Sequence, residues 1–144
     1  MEVQTAPRIV RIGALELRFH VDETDGAGDV VMFEFIVPPG ARVPAPHFHE
    51  ACDEIVHGLE GTMTTTLDGQ VHEVRKGDVV FIPRGKVHHH ANLHEDTAKA
   101  MIVIAPGTIG RHYFEEMAEA VSQPGPPDMA RLHAIMRRHG LVPV

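Results

Sequence analysis

The chain has 144 residues, 43% of them hydrophobic and 23% charged. That is the size and make-up of one globular domain, and it excludes intrinsic disorder over most of the length. Thirteen basic against 20 acidic residues give a formal charge of −7, and no Lys/Arg-rich block offers phosphate a footprint, so nucleic acid is not expected as a partner.

Reading from the N-terminus, no basic-then-apolar pattern marks a secretory signal. The longest apolar runs, such as residues 100–105, fall far short of the roughly 20 residues a membrane helix needs. A membrane partner is therefore not expected. A single cysteine, Cys52, excludes an intramolecular disulfide and suits a reducing, cytoplasmic setting.

Runs rich in Val, Ile, Phe, Thr and Leu predict strands at 9–12, 15–21, 30–37, 54–59, 61–67, 70–74, 78–82, 88–92 and 98–104. Between them lie turn signals: Asp25-Gly26, Pro38-Pro39-Gly40, Asp68-Gly69, Lys76-Gly77-Asp78 and Pro83-Arg84-Gly85. Asp68-Gly69, between two alternating segments, is the strongest hairpin signal. Short strands at this spacing predict an all-β barrel or sandwich over residues 1–110. The alternating segment Arg8-Ile-Val-Arg-Ile12 can add to a partner as an edge strand, and a homodimer is expected.

The period then changes. Tyr113, Phe114, Met117 and Val121 recur at helical spacing, with Glu115, Glu116 and Glu119 on the other face. Residues 122–127 break that helix with three prolines and a glycine. Asp128 can cap a second helix, striped by Met129, Leu132, Ile135 and Met136 and closed by Gly140. Helices this short are marginal alone, so residues 111–144 are expected to pack on the barrel as part of the same domain.

The unusual count is 12 histidines. One cluster reads Gly40-x6-His47-x-His49-x4-Glu54-x6-Gly61, a second Gly77-x5-Pro83-x-Gly85-x2-His88-x3-Asn92. In a strand, residues i and i+2 point to one side, so His47 and His49 can present two imidazoles to one point. Glu54 can return a carboxylate from a neighbouring strand, and His88 can approach after the Pro-Arg-Gly turn. Three imidazoles and a carboxylate suit one divalent transition metal per chain, Fe, Mn, Ni, Co, Cu or Zn. A metal-free polar cavity is the plainer alternative.

These clusters resemble the two signature motifs of the cupin superfamily. The second matches G(x)5PxG(x)2H(x)3N at every fixed position; the first matches G(x)5HxH(x)3,4E(x)6G with one extra residue before His47. The resemblance extends to small bacterial single-domain cupins of the quercetin 2,3-dioxygenase-like kind. It implies a single cupin β-barrel (jelly roll) with a short C-terminal helical tail, and the metal ligands His47, His49, Glu54 and His88. Asp53 can compete with Glu54, whose six-residue spacing to Gly61 fits the motif better. His57 reads as a solvent or interface residue, with a supporting role beside the metal as the alternative. His72 and His90 can face the cavity, while His89 points away. Cys52 reads as a small buried residue, or as a thiol near the metal.

Within such a barrel, Phe81, Met63, Met101 and His90 are candidates for the wall of a pocket that takes a small-molecule substrate. Glu54 is the candidate catalytic base as well as a ligand. The leading expectation is an oxidoreductase, a dioxygenase acting on a small enolic, phenolic or aromatic substrate. The alternatives are a non-redox metal enzyme (isomerase, cyclase or lyase) and a non-catalytic metal- or ligand-binding cupin.

Overall fold

The computed structural model describes residues 6–144. In chain order they form β1 (Arg8–Ile12), β2 (Leu15–Val21), β3 (Val31–Val37), β4 (His47–His49), β5 (Asp53–Glu60), β6 (Met63–Leu67) and β7 (Gln70–Val74). There follow β8 (Val79–Ile82), β9 (His88–Ala91), β10 (Ala98–Ala105), α1 (Arg111–Val121), α2 (Met129–Arg138) and β11 (Leu141–Pro143).

The strands make two antiparallel sheets, one in the order β1-β2-β3-β10-β5-β8 and the other β11-β4-β9-β6-β7. This is the expected all-β jelly roll with a short helical tail. Alternation builds its core. Leu15, Leu17 and Phe19 of β2, Phe33 and Phe35 of β3, and Ala100, Ile102 and Ile104 of β10 turn inward, while Glu16, Arg18 and Glu34 turn out. Burying one large apolar side chain stabilises by roughly 1.5–3 kcal/mol, and these three strands supply most of the wall between the sheets.

The Asp68-Gly69 hairpin joins β6 to β7, with Leu67 opposite Gln70. Both turn residues have positive φ, 52° and 84°, the backbone that matches strand twist in a two-residue loop. Gly61 shows why its motif position takes glycine: φ is +61°, and a Cβ there would sit 2.3 Å from the Thr97 carbonyl oxygen. Buried Asn92 donates through Nδ2 to the carbonyls of Val37 (2.9 Å) and Asp96 (2.8 Å), anchoring the turn after β9 to the end of β3.

Two strands fall outside the nine that the sequence predicts. β4 and β11 are three residues each, and they pair with each other, Leu141 opposite His49 and Pro143 opposite His47. Three residues carry no readable period, and β11 depends on a partner about 90 positions upstream. The two helices lie where the period places them. Asp128 caps α2, accepting from the Arg131 N–H at 3.1 Å. Met129, expected in the apolar stripe of α2, is instead 41% exposed, because it is the first helical residue and precedes the turn that docks.

α1 packs on β1 and against α2, and α2 on β11. The start of α1 has no side-chain cap of its own. Fully buried Asp22, just past β2, bridges Arg8 (2.9 Å) and Arg111 (2.7 Å), tying the first strand to the first turn of α1. The helices therefore close one end of the barrel. No helix among the described residues is long and apolar enough to cross a membrane.

Candidate metal centre

His47 and His49 flank Phe48 in β4, so both imidazoles project inward; their rings stack with centroids 5.2 Å apart. β4 pairs with β9, His47 opposite His88, which brings the third imidazole within 4.6–4.7 Å, centroid to centroid, of the other two. Glu54 arrives from β5 in the opposite sheet, with Oε2 3.9 Å from Nε2 of His88. His90, two residues beyond His88, shares its side and puts Nε2 2.8 Å from Glu54 Oε2. All five side chains are buried.

The donor atoms of His47, His49 and His88 lie within 4.8 Å of one another, as do those of Glu54, His88 and His90. Hydrogen bonds sort the imidazoles. Nδ1 of His47 donates to the Ala45 carbonyl at 2.8 Å, and Nδ1 of His88 to the Lys86 carbonyl at 3.0 Å. Nδ1 of His49 lies 3.5 Å from the Cys52 sulfur. In His47 and His88 the carbonyl acceptors put the proton on Nδ1 and leave Nε2 with its lone pair, the arrangement that supporting hydrogen bonds impose on metal-binding histidines. Nε2 of His88 is buried without a hydrogen-bond partner among the described residues. An orphaned buried nitrogen is costly, and a bound cation would satisfy it. The donor set fits a divalent transition metal.

Protonation states agree with this. Burial, reinforced by the neighbouring His88 and His49, holds the His47 pKa down at about 3. Burial likewise lowers His49 to about 4 and lowers His88. Burial pushes Glu54 the other way, but the hydrogen bond from His90 and the imidazoles around it prevail, leaving the carboxyl well below its usual range. At neutral pH His47, His49 and His88 are neutral imidazoles and Glu54 is a carboxylate, the forms that bind metal.

The other candidates are dispersed. Asp53 faces away and pairs with Arg84, accepting from its backbone N–H at 2.9 Å and its guanidinium at 3.1 Å, which leaves Glu54 as the carboxylate of the cluster. His57 is exposed on the outer face of β5, and His72 is half-buried in β7 away from the cavity. His89 points out and meets the Val43 carbonyl at 3.2 Å. Cys52 is buried, and that burial raises its thiol pKa.

The cluster opens into a narrow cavity of about 60 Å³, lined by His47, His49, Glu54 and His90 at one end and by apolar side chains elsewhere. A single water needs roughly 10–15 Å³ on this measure, so the space holds only a handful of waters. Of the predicted wall residues, only His90 lines it. Phe81 is 55% exposed, because Ile82 takes the inward position of β8. Met101 lies on the outer face of β10, where Ala100 and Ile102 point in. Met63 is fully buried but packs in the core without reaching the cavity. The wall is instead built by Phe33 and Phe35 together with Tyr113, Phe114, Met117 and Met136 of the helices. The apolar stripes at 113–121 and 132–136 were the available signal; which surface they cover is a tertiary fact.

A two-sheet antiparallel barrel with a buried cluster of imidazoles and a carboxylate between its sheets defines a jelly-roll domain with a candidate mononuclear metal site. Residues 33–105, just over half of the chain, match the family model described as Cupin domain (Cupin_2). The chain belongs to the cupin family.

Over 84 residues it is 37% identical to quercetin 2,3-dioxygenase of Bacillus subtilis (strain 168), a match covering 58% of this chain and 24% of that one. Its matches span 24% to 59% of the length of the curated relatives. Among solved structures, the polyketide cyclase RemF from Streptomyces resistomycificus is 27% identical with a TM-score of 0.61, covering 86% of this chain and 94% of that one. A predicted oxalate decarboxylase from Thermotoga maritima is 22% identical with a TM-score of 0.63, covering 74% and 99%; that likeness is one of fold.

Proposed function

We propose that this cupin is a metal-dependent oxygenase acting on a small enolic, phenolic or aromatic substrate. One observation carries the reading: the cavity is apolar along most of its walls and has His47, His49, Glu54 and His90 gathered in its lining. Such a cavity selects a flat, apolar molecule with one oxygen directed at the cluster. The partial identity to a quercetin dioxygenase supports the same chemistry.

His47, His49, Glu54 and His88 would hold the metal. A bound divalent metal would polarise a substrate hydroxyl and, if redox-active, serve reaction with dioxygen. The chain supplies the rest. Glu54, kept ionised, can take the hydroxyl proton of the substrate. His90 steadies that carboxylate through Oε2. Phe33, Phe35 and the helix side chains align an aromatic ring and exclude water, which strengthens every electrostatic contact inside.

A non-redox cyclase is the second reading, favoured by the likeness to RemF, which extends over 86% of this chain. Protein loaded separately with Fe, Mn, Co, Ni, Cu and Zn distinguishes the two. Oxygen uptake on catechol with a redox metal, absent with zinc and in His49→Ala, supports the oxygenase. Conversion of an enolisable polyketone without oxygen uptake, equally fast under argon, supports the cyclase. We also propose that the chain acts as a cytoplasmic homodimer. β1 is an open sheet edge, and Ile55, Val79 and Phe81 form an exposed apolar patch on the outer face of the same sheet. A monomer in light scattering at micromolar concentration would refute the dimer.

A further inference from the structure

The cluster holds four imidazoles, and one differs from the rest. Among the described residues, His47, His49 and His88 each keep Nε2 free of hydrogen bonds. His90 spends both ring nitrogens: Nε2 lies 2.8 Å from Glu54 Oε2 and Nδ1 2.9 Å from Thr65 Oγ1. Thr65 has no solvent exposure, and it stands opposite His90 across the β6–β9 ladder.

The roles in this chain follow from donor and acceptor bookkeeping. An ionised carboxylate only accepts, so Nε2 of His90 must carry the proton. At Nδ1 the partner is the Thr65 hydroxyl, which can donate to a ring lone pair or accept from a ring N–H. Thr65 thereby fixes the orientation of the ring, and His90 clamps one oxygen of Glu54. Oε1 of Glu54 makes no hydrogen bond among the described residues.

We propose that His90 is a positioning residue: oriented by Thr65, it immobilises Glu54 through Oε2 and so holds the carboxylate in place for the metal. It is neither the fourth imidazole ligand nor a passive wall of the pocket. The inference rests on the reading of His47, His49, Glu54 and His88 as a metal site. To ligate through Nε2, His90 would have to give up its buried hydrogen bond to Glu54. As a clamp it keeps that bond, and it stops the carboxylate from rotating. Partners of this kind are typically worth roughly 10–100-fold in metal affinity.

The test uses the full chain with Co(II) in a chelator competition and Cu(II) in pulsed EPR, which counts bound imidazoles. His90→Phe is expected to weaken Co(II) binding by about 10–100-fold while the imidazole count stays at that of the parent. His90→Gln, whose amide N–H can still reach Glu54, is expected to recover most of that loss. Thr65→Val leaves His90 in place and is expected to weaken binding by about 3-fold or more, so it decides the question even if His90→Phe does not fold. Loss of one imidazole from the EPR count in His90→Phe would make His90 a ligand and overturn the proposal. So would unchanged affinity in Thr65→Val. A parent protein that binds neither metal refutes the metal reading itself, an outcome separate from either of these.

Discussion

Nε2 of His88 lies 3.9 Å from Oε2 of Glu54, and the two side chains come from opposite sheets of the barrel. A metal held by both would tie the sheets together, and binding only to the folded state adds stability by mass action. At a free metal concentration 100 times Kd the gain is about 2.7 kcal/mol. For a chain of this length that is roughly 5–10 °C in Tm. Melting with and without chelator measures it, and His49→Ala is expected to show no such shift.

Acid should destabilise the metal-free protein. Folded His47 and His49 hold pKa values of about 3 and about 4, against about 6.5 when unfolded. Below that value the unfolded chain takes up protons that the folded chain refuses. Stability therefore falls as the pH drops from about 6.5 to about 4, by up to about 1.4 kcal/mol per pH unit for each imidazole. Glu54 and Asp22, both held below the usual carboxylate range, add losses of the same sign at lower pH. Urea midpoints of chelator-treated protein at pH 7.5, 6 and 5 should decline in that order. A constant midpoint would mean that the cluster is not buried and neutral.

Tyr113 is 5% exposed and lines the cavity, and its hydroxyl has no hydrogen-bond partner among the described residues. Burial alone raises its pKa. The hydroxyl makes no hydrogen bond within the described residues that Tyr113→Phe would remove, so the substitution should leave stability within about 0.5 kcal/mol of the parent in a thermal melt. A clear loss of Tm would mean that the hydroxyl has a partner in solution.

Asp22→Asn should loosen the helical end of the barrel. The substitution keeps the shape but removes the charge that Arg8 and Arg111 share. Hydrogen bonds to charged groups contribute about 1.5–3 kcal/mol, and a loss of that order is expected in urea unfolding. Amide exchange should rise in α1 before it rises in β10.

Local rules carried much of this molecule. Alternation placed His47 beside His49 and His88 beside His90, because the side-chain period of a strand is two wherever the strand lies. Asp68-Gly69 announced its hairpin because those residues tolerate the positive φ that the turn demands. Asp128 announced its helix because an orphaned N–H needs an acceptor. The spacing of two motifs pointed to the barrel and to the four candidate ligands.

Tertiary packing decided the rest. Alternation says that Phe81 and Ile82 point to opposite sides, or Met101 and Ile102, but not which side is inside; the neighbouring strands chose Ile82 and Ile102. β4 and β11 exist only because each completes the other's hydrogen bonds. Tyr113 and Met136 became cavity wall because α1 and α2 dock on the barrel end, held in part by Asp22 from a distant turn. The role of His90 needed both sheets assembled. Its two partners, Thr65 and Glu54, are 25 and 36 residues away, and a hydrogen bond between strands that far apart is set by register and sheet packing, which no local pattern encodes.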